Sequence, residues 1–72
     1  MNSSIGELYR QYRRCIAVQK WVIACNRDRL NRALRERNQT EVQRLNRVLC
    51  VLYEEKSELE ERANGLRDDE SD

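Results

Sequence analysis

Three sets of side chains in this sequence could do chemistry: the thiols Cys15, Cys25 and Cys50, the adjacent acids Glu54–Glu55 and Glu60–Glu61, and a set of fourteen Lys and Arg that is nearly all arginine. The chain contains no His to serve as a base, and no Gly-rich loop to cradle a phosphate. The paired acids fall on helical stretches, where they are surface residues without a pocket, and a unit of this size has no cleft for a substrate. Three Cys without a His do not make a structural zinc site. The expected protein is therefore non-enzymatic, with no metal, no cofactor and no small-molecule substrate. Its chemistry is that of surfaces: thiols acting as small hydrophobes, and arginines meeting anions.

The arginines are unevenly placed. Net charge is only +1 over 72 residues. Residues 1–40 carry nine Lys and Arg against Glu7, Asp28 and Glu36, whereas residues 41–72 carry five against ten acids. Nothing resembles a signal peptide in "MNSSIGELYR", and no run approaches the roughly 18 apolar residues of a membrane span. With an odd number of cysteines, this points to reduced thiols and a cytoplasmic or nuclear location. Cys15 and Cys25 have a C-x9-C spacing similar to that of twin-cysteine mitochondrial proteins. That resemblance implies a second pair, and the second half offers only Cys50.

Two long helices must position these groups. The chain has no Pro, no Phe and 38% charged residues. Ser4 and Glu7 form a candidate capping box, and no breaker follows until Asn38, so helix 1 is expected over about 4–37. "NQT", residues 38–40, reads as a turn with Asn38 in a left-handed cap conformation. Thr40 and Gln43 form a second candidate box, so helix 2 is expected over about 41–64, with Gly65 as its cap. Residues 1–66 then form one helical domain, and 67–72 an acidic disordered tail.

The second helix repeats in heptads: Val42, Leu45, Leu49, Leu52, Lys56, Leu59, Ala63 and Leu66. Folding the chain at the turn matches these with Ala33, Leu30, Asn26, Ile23, Gln19, Ile16, Tyr12 and Tyr9. The residue numbers of every matched pair sum to 75. One register aligns both seams over their length, so the fold class expected is all-α, an antiparallel two-helix coiled-coil hairpin. The polar seam residues Asn26, Gln19 and Lys56 are expected to set register at a cost in stability.

Apolar residues remain once the seam is subtracted. Leu8, Cys15, Val18, Val22 and Cys25 lie at helical spacing along one flank of helix 1, with Trp21 beside them and Val48 and Val51 on the same flank of helix 2. Such a patch marks an interface. The simplest partner is a second hairpin, giving a homodimeric four-helix bundle; a helix from another protein would bury the same surface. On the opposite flank lie Arg10, Arg13, Lys20, Arg27 and Asn31, with Arg35 beyond. Arg13, Lys20 and Arg27 are spaced by sevens and form one row of about 20 Å. This row suits the phosphates of double-stranded RNA. The alternative is that cations of helix 1 pair with acidic helix 2, Arg13 of the row with Glu60, and Arg29, outside the row, with Glu41.

The first functional expectation is a self-associating coiled-coil adaptor or assembly subunit. The second is a dimeric double-stranded RNA-binding protein, because a hairpin with a basic flank resembles Rop-like plasmid hairpins and nodaviral silencing suppressors in architecture.

Overall fold

The computed structural model describes residues 3–71, with side-chain surroundings for 4–66. It contains two helices, α1 over Ser3–Arg35 and α2 over Gln39–Ser71. Each has 33 residues, about 50 Å at 1.5 Å per residue. The Cα trace measures 55 × 14 × 13 Å. One continuous rod of the same residues would be about 100 Å long, so the chain folds back on itself as a hairpin.

The seam is the one the heptads specify. All sixteen matched residues are buried or half-buried. The fully enclosed apolar side chains are Ile16, Ile23, Ala33, Leu45, Leu49 and Ala63, every one a seam position. Removing a residue such as Ile16 or Leu45 from water contributes about 1.5–3 kcal/mol. Three seam positions are polar, and each has its own solution. Asn26 Nδ2 donates to the carbonyl of Val22 at 2.8 Å. It satisfies itself within α1 and asks nothing of Leu49 opposite. Gln19 Nε2 reaches across the hairpin, donating to the carbonyl of Leu52 at 3.2 Å and to Glu55 Oε1 at 3.0 Å. Lys56 turns the other way and pairs with Glu60 at 3.3 Å. Among the described residues, no buried side-chain N or O atom lacks a hydrogen-bond partner.

The turn lies earlier than expected. Residues 36–38 connect the helices, and the left-handed residue is Arg37, with φ 56°, not Asn38. The amide of Asn38 donates to the carbonyl of Ala33 at 2.9 Å, and that of Arg37 to Leu34 at 3.2 Å. This is a Schellman closure of α1. Asn38 is then free to open α2: its Oδ1 accepts the amide of Glu41 at 3.2 Å, and its carbonyl accepts that of Val42 at 3.0 Å. An amide oxygen at the N-cap satisfies a donor that the helix itself cannot, and this use displaces the Thr40–Gln43 box. Thr40 lies inside the first turn of α2.

Other boundaries move for similar reasons. α1 already includes Ser3, so Ser4 sits within its first turn; the cap position lies outside the described residues. α2 does not stop at Gly65 but continues through Ser71, replacing the expected end at 64 and most of the expected tail. Gly65 does not have a positive φ, and a Cβ there would meet nothing within 4 Å. It is an ordinary helical residue.

Candidate functional site

The seam divides the surface of the hairpin into two flanks. On α1, residues 8, 15, 22 and 29 precede seam positions on one side, and 13, 20, 27 and 34 follow them on the other. In an antiparallel pair like flanks meet. The structure follows that rule. Leu8 shares a shallow depression with Arg62 and Leu66, and Arg29 shares another with Glu41. On the opposite side Leu34 shares one with Gln39 and Gln43.

The first flank is apolar in its middle. Val22, Cys25 and Val48 are half-buried, and Cys15 and Leu8 are exposed at its edge. Val18 and Val51 are 60% and 53% exposed, and Trp21 on the outer side of α1 is 69% exposed. Seven of the eight residues expected at an interface, from Cys15 to Cys25 on α1 with Val48 and Val51 on α2, lie on or beside one band; Leu8 stands apart, separated from Cys15 by exposed Gln11 and seated beside Arg62. The band is bounded by charge. Towards the turn stand Arg29, Arg32 and Arg44 with Glu36 and Glu41; towards the open end stand Glu55 and Glu58 with Arg62. The three cysteines are free thiols. Cys25 belongs to this flank and Cys50 to the other, so they do not face each other although they are level along the hairpin.

Glu41 and Arg44 form the tightest ion pair, with Arg44 Nε at 2.6 Å from Oε1 and Nη2 at 3.0 Å from Oε2. The hydrogen bond from Arg44 lowers the Glu41 pKa. Partial desolvation opposes it, and the charges of Arg44 and Arg29 act in the same direction as the bond. Arg44 in turn is held above its already high value by Glu41.

The second flank carries the basic row. Arg10, Arg13, Lys20, Arg27 and Asn31 are all exposed on α1. Arg35 is exposed too, but it stands on the outer face of the helix near the turn rather than in the row. None of these cations makes an ion pair among the described residues. The partner expected for Arg13 is engaged elsewhere: Glu60 is held by Lys56, just as on the other flank Glu41, expected to meet Arg29, is held by Arg44. Contacts one helical turn away within α2 prevail over contacts across the hairpin, because i,i+3 and i,i+4 neighbours are already adjacent.

α2 brings to this flank polar groups that were not among the residues expected there. Its positions there are Gln43, Asn46, Cys50, Tyr53, Ser57, Glu60 and Asn64, exposed except for Glu60, with Tyr53 at 43%. Of the six glutamates from 41 to 61, only Glu60 is on this side. The heptad signal that found the row places these residues as well, once followed along α2.

No helix is long and apolar enough to cross a membrane, and no group of three or more His, Cys, Asp or Glu among the described residues is placed to hold a metal. In class, then, the molecule is an antiparallel α-helical hairpin with two chemically distinct flanks. No family model, no curated protein and no solved structure matches the chain.

Proposed function

We propose that this chain is a non-enzymatic, self-associating assembly or adaptor module, and that the apolar flank receives a second copy to form a four-helix bundle. The observation that carries this is the exposed set of Val18, Trp21 and Val51 running beside half-buried Val22, Cys25 and Val48. A contiguous apolar band bounded by charge marks an interaction surface. The core points the same way. Six enclosed apolar side chains in one layer are few for a unit below about 70–80 residues, where oligomerisation commonly supplies the missing burial.

Charge complementarity supports a second copy in one orientation. On this flank the turn end has one cation in excess, Arg29, Arg32 and Arg44 against Glu36 and Glu41. The open end has one acid in excess, Glu55 and Glu58 against Arg62. A two-fold axis through the apolar middle lays the turn end of each copy on the open end of the other. Opposite excesses then meet, and the interface is isologous.

Light scattering tests the reading. At micromolar concentration the chain should have twice its 8.7 kDa mass. Val22→Glu should give a helical monomer or an unfolded chain, since it places an unpaired carboxylate in a dry interface. A wild-type monomer at tens of micromolar, or an unchanged mass in Val22→Glu, would overturn it. The first of these results favours a helix from another protein on the same band.

A further inference from the structure

The basic flank is chemically independent of the apolar one, and self-association through the apolar band leaves it open. From its composition we infer that it is a docking surface for the backbone of double-stranded RNA, gripped by Arg13, Lys20 and Arg27. The row is straight, exposed and free of ion pairs among the described residues. Its steps of seven residues place cations about 10 Å apart. Ala17 and Ala24 lie between them, so the backbone of α1 can approach a strand closely.

Three features choose the occupant. A single strand would need a series of aromatic platforms for its bases, and this flank offers only Tyr53. Trp21 stands on the outer side of α1, beside the apolar band. Reading the bases of duplex DNA takes insertion of one element into a major groove about 12 Å wide, whereas backbone contact alone would not separate DNA from RNA. Here the surface is shared by two helices whose Cα cross-section is already 14 × 13 Å, so it lies across a duplex. The wide, shallow minor groove of an RNA duplex presents phosphates on both margins and 2′-hydroxyls between them. Opposite the cations, this flank presents Gln43, Asn46, Ser57 and Asn64, which both donate to and accept from a hydroxyl.

An acidic helix of another protein would match the heptad spacing. Its large apolar contacts on this flank would be limited, however, to Leu34 and Tyr53, which stand well apart along the hairpin with Ala24 and Cys50 between them and Ala17 beyond, and exposed ion pairs hold weakly and are screened. Phosphates add the release of condensed counterions.

The test measures fluorescence polarisation of a labelled 20-base-pair RNA duplex with the full chain, beginning at 50 mM salt. The expected result is binding with protein in the tens of micromolar or below, and affinity that falls linearly with salt on logarithmic axes. Lys20→Ala with Arg27→Ala should weaken binding roughly tenfold and flatten the slope by about two contacts. Arg14→Ala with Arg47→Ala removes the same charge from the outer faces and should leave both quantities near wild type. Circular dichroism and light scattering accompany each variant. If the first pair loses helix, Asn46→Glu, which puts a carboxylate on the flank from α2, is the substitute and should weaken binding likewise. Four outcomes would overturn the inference: no binding, equal loss in the two Ala pairs, equal affinity for duplex DNA or a single strand, or capture of an acidic polypeptide in preference to RNA. Since mass is read separately, failure here leaves self-association standing, and failure of self-association leaves the RNA result readable.

Discussion

The two flanks of this hairpin come from the same two helices and the same heptad repeat, yet they differ in nearly every property that governs association. One carries Val18, Val22, Cys25, Val48 and Val51 in a band. The other carries Arg13, Lys20 and Arg27 opposite amides, a hydroxyl and Tyr53. The seam is nearly the same whichever flank is considered, so the fold alone cannot explain the contrast. Burial constrains seam positions; what stands beside them is free to serve a partner. The polar layer at Gln19 and Lys56 shows the division in miniature. Gln19 leans towards Glu55 on the apolar flank, whereas Lys56 leans towards Glu60 on the basic one.

The largest effect that could break this comparison comes from placing one charge on each flank of the same helix. Val51→Glu should abolish self-association, because the new carboxylate enters the proposed dry interface without a cation to meet it. Asn46→Glu adds the same charge five residues away on the opposite flank and should leave the mass at two chains. Light scattering decides. Equal loss in both variants would mean that net charge, not the band, controls assembly, and the contrast between flanks would have no functional content.

An intermediate effect is expected within the polar layer. Gln19→Leu with Lys56→Leu should stabilise the hairpin to denaturant by about 1 kcal/mol, because two half-buried polar side chains give way to apolar ones that bury more surface. The same change removes the layer that distinguishes this register from others, so mixed masses should appear. A destabilised double variant would show that the bonds of Gln19 to Leu52 and Glu55 outweigh the cost of burying it.

The legibility of this molecule follows the same division. The seam was readable because burial repeats: the faults at Gln19, Asn26 and Lys56 are outvoted by the other thirteen positions. The flanks were readable as positions, since they inherit the register. Their partners were not. Arg13 with Glu60 is a sound pairing by level and side, but Lys56 lies one turn from Glu60 on the same helix and takes it. The turn failed for a different reason. Asn38 suits both a left-handed cap and an N-cap, and a single residue can fill only one of them. The structure uses it to open α2 and leaves the left-handed site to Arg37. Gly65 shows the reverse ambiguity: a glycine permits a helix end without requiring one.

Arg37 supports the last and smallest prediction, which sharpens the comparison at the turn end of the basic flank. It lines a shallow depression there with Leu34, Gln39, Val42 and Gln43. Its backbone is at φ 56°, a conformation that costs a residue with a Cβ roughly 1–2 kcal/mol. Arg37→Gly removes that cost and adds some of the entropy that a glycine loses on folding. The net expectation is a gain of about 0.5–1 kcal/mol in a denaturant titration, with the mass unchanged. The substitution also removes a cation some ten residues beyond Arg27. If RNA is held by the row alone, affinity and salt slope should stay as they are while stability rises. A slope reduced by about one contact would extend the gripping surface to the turn. Lower stability in Arg37→Gly would show instead that the arginine side chain, through its contacts in that depression, contributes more than its backbone conformation costs.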